Sequence, residues 1–342
     1  MADESESARR NVRLEDLARR AGVSISTVSR ALNDSPAVNR RTKQAIWKLA
    51  RELDYPFRRY MPTGPIGADA TIAVVVPMPQ ARDAHIHDPF FFELLSGIGD
   101  AARERGCDLL ISHTTPTSYD DLAYALSTSR ANGVIFIGQS SLHREFNRLS
   151  ENEERFVVWG AELPEQDYCS VGSDNIQGGR RATSHLARLG RKRIVFLGDT
   201  IAPEAMQRYR GYLEAFERHG LEPDPALAVP AHFEVESAES AVQGLMESGL
   251  EFDGIVAASD LIALGAVRAL HKFGKSVPGD VSVVGYDNVP FSRYATPALT
   301  TVSQDVDKAG RILVSKILDS VGPTSRSERT ATDLIVRQSC GA

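Results

Sequence analysis

The chain is short of cysteine, of tryptophan and of long apolar runs. Its 342 residues include three cysteines and two tryptophans. Cys107, Cys169 and Cys340 are odd in number, scattered, and without CxxC spacing. That excludes a disulfide framework or a zinc ribbon and points to the reduced thiols of a cytoplasmic protein. No apolar stretch approaches the roughly 20 residues that cross a bilayer. The opening MADESESARR is acidic and then basic, with no apolar core; it is not a signal peptide, and residues 1–11 read as a disordered tail. GxSxG, Walker and GxGxxG motifs are missing, as is any credible Cys–His or metal cluster. The expectation is therefore a non-enzyme without catalytic residues, cofactor or metal. His85, His87 and Asp88 offer one pair of imidazoles with no third partner, which fits an exposed loop better than a metal site.

What is present is unevenly distributed. Net charge is -6, which argues against a chain that coats nucleic acid along its whole length. Residues 1–60 carry 13 Lys/Arg and 8 Asp/Glu, a net of +5, and the remainder carries 26 and 37, a net of -11. A small basic unit on a large acidic body fits a DNA reader joined to something that does not touch DNA.

The basic unit is Val12 to Pro56. Leu14, Leu17, Ala18 and Ala21 recur at helical spacing, and Gly22 ends that helix. Ser24 suits the N-cap of a second helix with Val28, Ala31 and Leu32 inward. Asn39 suits the cap of a third, with Ile46, Leu49, Ala50 and Leu53 inward. A helix, a short turn with glycine and a second capped helix make a helix-turn-helix, whose second helix enters the major groove. Ile25, Ser26, Ser29 and Arg30 would face the bases there: an apolar contact for a thymine methyl, hydroxyls for either role, and a guanidinium fork for guanine. Thr27, Arg40, Arg41, Thr42 and Lys43 suit phosphates, which position without reading sequence. The competing reading is a three-helix bundle with a solvated basic face.

The run AGVSISTVSRALN resembles the DNA-binding headpiece of the LacI/GalR family of bacterial transcription regulators. The matching residues are Leu14 to Ala18, Ala21 to Ser24, Thr27 to Arg30, and Leu32 with Asn33. The resemblance adds Ser24 and Asn33 to the DNA-contacting set. Relatives usually carry a short hinge helix next, with a leucine that wedges into the minor groove. Here residues 57–70 read as a linker: Pro62 and Pro65 flank Gly64, which stands where the leucine is expected. A helix there would lack donors and clash at proline. Arg58 and Arg59 are minor-groove or phosphate contacts, or else solvated linker charges.

From Thr71 short apolar strands alternate with amphipathic helices, beginning with the continuous run Ile72 to Val76. The rhythm runs to about residue 158 and starts again near Gly178. Two α/β lobes with parallel, Rossmann-like sheets follow, with a ligand expected at the carboxyl ends of the strands, in the cleft between lobes. DPFFFELLSGIGDAA, RYRGYLEAF, VPGDVSVVGYDN and PALTTVSQD resemble the family's regulatory domain, itself similar to periplasmic sugar-binding proteins. The resemblance then covers nearly the whole chain, and implies effector binding and dimerisation over residues 71–342. It places the crossings between lobes near 160, 290 and 320. Lobe 1 would hold about 71–160 and 291–320, and lobe 2 about 161–290 and 321–342.

By the matched motifs, Arg208 is the effector clamp and Asp287 its acceptor partner. Five fixed donors facing an acceptor-only carboxylate across a cleft suit sugar hydroxyls; the alternative is an interlobe ion pair. Phe90 and Phe91 are matched either to ligand stacking or to the core, and Phe233 to a lid. Gln139, with Gly138 and Ser140, follows the third strand of the first lobe. Trp159 offers a flat face, Ser259 takes a place often held by Asn, and Asp260 is a contact or a helix cap. Asp174 and Asn175 suit a turn. Together these imply a repressor of carbohydrate-utilisation genes, acting as a homodimer on a pseudo-palindromic operator and gated by a mono- or disaccharide. A purine effector, or an activator, is the alternative. A solute-uptake protein is disfavoured by the headpiece and the missing signal peptide.

Overall fold

The computed structural model describes residues 12–32, 35, 37–53, 55, 70–77, 88–112, 114–128, 131–139, 141–151, 155–319 and 326–342. Asn33, Arg58, Arg59, His85, His87 and Ser140, with the tail and all but the last residue of the linker, lie outside these residues.

Three helices form the headpiece: α1 (Leu14–Ala21), α2 (Ile25–Leu32) and α3 (Arg40–Glu52). The expected caps are in place. Asp16 accepts from the backbone N–H of Arg13 at 3.0 Å, and Gly22 ends α1 at φ 66°, a left-handed conformation that glycine adopts without strain. Leu17, Ala18, Val28, Ala31, Val38, Ile46 and Ala50 make one small core.

The remaining chain builds two six-stranded sheets. Lobe 1 contains β1 (Thr71–Val75), α4 (Pro89–Glu104), β2 (Asp108–Ile111), α5 (Tyr119–Thr128), β3 (Gly133–Ile137), α6 (His143–Ser150), β4 (Phe156–Trp159) and β5 (Ser170–Ser173). Lobe 2 contains α7 (Asn175–Arg188), β6 (Ile194–Leu197), α8 (Pro203–Arg218), β7 (Ala228–Val229), α9 (Val235–Glu247), β8 (Gly254–Ala257), α10 (Asp260–Lys272), β9 (Ser282–Asp287) and β10 (Thr300–Gln304). The chain returns to lobe 1 for α11 (Val306–Leu318) and β11 (Glu328–Thr330), and ends in lobe 2 with β12 (Thr332–Ile335). The strand orders are β2-β1-β3-β4-β5-β11 and β7-β6-β8-β9-β10-β12. The pairings are parallel except for β12 on β10.

The crossings between lobes therefore fall at residues 174, 305 and 331, not near 160, 290 and 320. The correction has a physical reason. β5 (Ser-Val-Gly-Ser) and β10 (Thr-Thr-Val-Ser-Gln) are polar in sequence yet almost wholly buried, because helices cover both sheet faces and the hydroxyls bond inside. Two crossings start a helix with an aspartate cap: Asp174 accepts from Gln177 N and Asp305 from Lys308 N, both at 3.0 Å. α8 begins with Pro203 in its first turn, where a missing N–H costs nothing.

Candidate DNA-reading helix and effector cleft

Ser24 sits before α2 and accepts the backbone N–H of Thr27 at 3.1 Å; its hydroxyl also lies 2.8 Å from those of Ser26 and Thr27. With Val28 and Ala31 buried below, the upper face of α2 points outward. Ile25 is 48% exposed, and Ser26 and Arg30 are exposed; Thr27 and Ser29 are half-buried. Asn39 caps α3 by accepting from Thr42 N at 2.8 Å. Arg40 is the first residue of α3, Arg41 is exposed and Thr42 half-buried. Lys43, whose charge suits a phosphate, is instead buried.

The cleft is built around Arg208 on α8. Its position depends on how closely α8 crosses α7. A Cβ on Gly211 would press on the carbonyl oxygen of Ile176 and sit 2.7 Å from the amide nitrogen of Arg180. A Cβ on Gly179 would sit 2.8 Å from the carbonyl carbon of Arg208. Only glycine allows that approach. The guanidinium is then fixed three ways. Nε donates to Asn175 Oδ1 at 2.8 Å, Nη1 donates to the carbonyl of Ala258, and the guanidinium carbon lies 3.7 Å above the Tyr286 ring. Asn175 thus orients the arginine, a role the expected turn at 174–175 did not suggest.

Asp287 ends β9 with its Oδ1 3.8 Å from Arg208 Nη1. Both residues belong to lobe 2, so the ion pair lies within one wall and does not bridge the lobes. Asp287 and Asn288 have φ of 108° and 58°, left-handed values that cost a non-glycine residue on the order of 1–3 kcal/mol each. Gln304 Nε2 donates to Asp287 Oδ1 at 2.6 Å, and Gln304 Oε1 accepts from the Ser173 hydroxyl. This joins the acceptor to the last residues of β5 and β10, beside two of the three crossings.

The site is rich in acid. Burial pushes the Asp287 carboxyl well above the usual range, Arg208 pulls it down, and Asp88 and Asp260 push it up. Asp88 and Glu204 are also raised by burial, with Arg208 opposing. Asp88 caps α4, accepting from Phe90 N at 2.9 Å, so lobe 1 brings a carboxylate into the field of the lobe 2 arginine. Sequence reasoning missed Glu204, Gln304 and Tyr286. Gln304 stood inside PALTTVSQD, and Glu204 follows the proline that starts α8.

The aromatic residues divide. Phe90 is half-buried and meets Trp159 with ring centroids 5.9 Å apart at 37°. Trp159 ends β4, at the carboxyl edge of the lobe 1 sheet. Phe91 is buried in the lobe 1 core. Phe233 is half-buried against the lobe 2 core, just before α9, beside the His232–Asp199 pair at 3.0 Å.

Three expected contacts have polar atoms engaged elsewhere, Gln139 through its Nε2 alone. Gln139 is fully buried, and its Nε2 donates to Ala161 O at 2.6 Å and Tyr168 Oη at 2.7 Å. Ser259, not Asp260, caps α10, accepting from Ile262 N at 3.2 Å. Asp260 accepts from Val289 N at 2.9 Å and Thr301 Oγ1 at 2.5 Å, which ties α10 to the ends of β9 and β10. Ser259 and Asp260, already hydrogen-bonded, gain little by turning to a ligand, whereas the buried Oε1 of Gln139 has no hydrogen-bond partner.

Residues 13–56 match the model of the bacterial regulatory proteins of the lacI family, and residues 183–340 that of a periplasmic binding protein-like domain. The HTH-type transcriptional regulator CelR of Thermobifida fusca is 33% identical over 97% of this chain and 99% of its own. The ribose operon repressor of Halalkalibacterium halodurans is 30% identical over 95% and 96%. A structure of a transcriptional regulator CelR–cellobiose complex matches with a TM-score of 0.69 and 31% identity, covering 96% of this chain and 99% of that one.

Proposed function

Since the chain belongs to the LacI family of bacterial transcriptional regulators, we propose that it represses carbohydrate-utilisation genes and that a neutral sugar in the interlobe cleft sets its affinity for DNA. The observation that carries this reading is Arg208. It is held rigidly by Asn175, Ala258 and Tyr286 and stands beside Asp287, while lobe 1 brings Asp88 into its field and carries, from two residues further on, the Phe90–Trp159 pair. Fixed donors and acceptors for hydroxyls, next to flat apolar faces, are what a pyranose ring requires. The relative solved with cellobiose supports a disaccharide, with a β-glucoside the first choice.

The DNA half of the reading is sequence-specific binding by α2, with Arg30 and Ile25 reading bases and Arg41 and Thr42 on phosphates. A homodimer on a two-half-site operator follows from the symmetry such headpieces use. Arg58, Arg59 and Asn33 remain in the proposed DNA set. Ligand must favour one arrangement of the lobes over the other for any coupling to occur.

The test pairs two titrations. Cellobiose, glucose, ribose and adenosine are titrated by calorimetry, and each binder is then added to the protein on a duplex selected from a random library. The expected result is a sugar that binds and shifts DNA affinity at least fivefold. Binding by adenosine alone would replace the sugar with a purine-type ligand. DNA binding that no compound shifts would remove the gating role.

A further inference from the structure

Helix α3 carries two loaded stripes. Ile46, Leu49, Ala50 and Leu53 close the headpiece core. Lys43, Gln44 and Trp47 lie on a different stripe, one turn apart, and the core is complete without them. Yet Lys43 is 9% and Trp47 4% exposed. Lobe 1 supplies part of the cover of this stripe. The Trp47 ring meets Tyr124 of α5 edge-on, with centroids 6.4 Å apart at 90°, and Gln44 Nε2 donates to Asp121 Oδ1 at 3.3 Å.

The receiving side is built to hold still. Asp121 Oδ2 accepts from the hydroxyls of Thr117 and Ser118 at 3.1 and 2.9 Å and from Thr117 N at 3.2 Å. On the headpiece side Trp47 Nε1 donates to the carbonyl of Ala31, in the last turn of α2, at 3.2 Å. One side chain therefore touches both the effector-binding body and the reading helix. Of the residues expected to face the bases, Ile25, Ser26 and Arg30 stay exposed and Ser29 is half-buried.

By its sequence the linker is a poor helix former. Residues 56–69 include three prolines and two glycines. Fourteen residues at roughly 3.3–3.6 Å each reach about 45–50 Å when extended, enough to allow many headpiece poses. We infer that Trp47 on Tyr124 is the mechanical link between lobe 1 and the reading helix, taking the part that a helical hinge would otherwise play. The dock presents α2 outward in one orientation, so that a movement of lobe 1 reaches the DNA through α5 and Trp47. It acts before any effector is chosen and stands independently of which ligand fills the cleft. Preorganising both headpieces of a dimer lowers the ordering cost of engaging two half-sites together.

The test changes lobe 1 and leaves the headpiece sequence intact. Tyr124→Ala and Asp121→Ala full-length chains are compared with wild type on a duplex selected by the wild-type protein and on a single half-site. Expected for Tyr124→Ala is an affinity at least tenfold weaker on the full site, with half-site affinity and salt dependence unchanged. Asp121→Ala gives a smaller loss in the same direction. Trp47 fluorescence in the Tyr124→Ala chain shifts to the red and becomes more accessible to acrylamide, while buried Trp159 contributes equally to both spectra. Tyr124→Phe keeps the ring and behaves as wild type. If Tyr124→Ala does not fold, Trp47→Leu is read by the same DNA titrations. No red shift would mean that the contact is absent in solution. Unchanged full-site affinity would mean that it does not position the headpiece, and tighter binding that it restrains it; each result overturns the inference.

Discussion

Replacing Gly211 with alanine tests the geometry on which the effector site rests. The new methyl would meet the carbonyl oxygen of Ile176 and lie 2.7 Å from the amide nitrogen of Arg180. Non-bonded contacts of carbon are comfortable at about 3.5–4.0 Å, so α8 must move away from α7 by on the order of 1 Å. Both blocking atoms are backbone, and no rotamer change relieves them. Overpacking of this kind costs about 1–3 kcal/mol, and the upper end is expected here. At roughly 2–4 °C per kcal/mol for a unit of this size, Tm should fall by about 5–10 °C. Ligand affinity should fall further than stability does. Arg208 lies on α8 three residues before Gly211, and its partner Asn175 precedes Ile176 on α7. The shift therefore opens the 2.8 Å Nε–Oδ1 bond that aims the guanidinium. The assay is thermal melting with and without saturating cellobiose or whichever sugar binds wild type. Gly244→Ala in α9 is the control, because open space surrounds its Cβ. It should raise stability by about 0.4–1 kcal/mol through helix propensity and a less flexible unfolded chain. If Gly211→Ala melted with wild type and kept the ligand's stabilisation, the close crossing would not be what holds Arg208.

Other expectations follow from the same contacts. Arg208→Lys keeps the charge beside Asp287 but loses the planar fork on Asn175 and Tyr286; sugar affinity should drop at least tenfold while the fold persists, and calorimetry decides it. Asp260 is raised from 3.8 to about 7 by burial. A raised folded-state pKa gives stability that is fully present below the unfolded value and lost as pH climbs through about 7. Wild type should therefore lose up to about 4 kcal/mol relative to Asp260→Asn between pH 4 and 8, and urea unfolding at both ends would expose a flat difference. Ser24→Ala removes the cap of α2 and should cost about 0.5–2 kcal/mol of headpiece stability, read by circular dichroism. Arg30→Ala should cost about 1–3 kcal/mol at one base position and relax choice there, whereas Arg41→Ala should weaken all duplexes alike and reduce the salt slope by about 0.9. Equal losses across all sequences for both variants would contradict the assignment.

Much of this was local and therefore legible in the chain itself. Ser24, Asn39 and Gly22 act on backbone groups within a few residues, so the three helices follow from spacing, and the family resemblance chooses a helix-turn-helix over a plain bundle. Continuous apolar runs such as Ile72 to Val75 announce strands covered on both faces, and Arg208 and Asp287 stand in recognisable motifs. What tertiary structure alone decided depends on burial and on contacts distant in sequence. β5 and β10 are polar in sequence, and only the assembled sheets bury their hydroxyls. Asp260 reads as a ligand contact or a helix cap until Thr301 and Val289 engage it. Arg208 and Asp287 read as partners on opposite sides of a cleft until the packing of α8 against the end of β9 brings them 3.8 Å apart within one lobe. The contact of Trp47 with Tyr124 leaves no periodic signal, because its partner lies seventy-seven residues away along the chain. Local hydrogen bonds and periodicity determine which elements form; the desolvation of particular side chains, which only the assembled fold imposes, determines what those side chains are free to do.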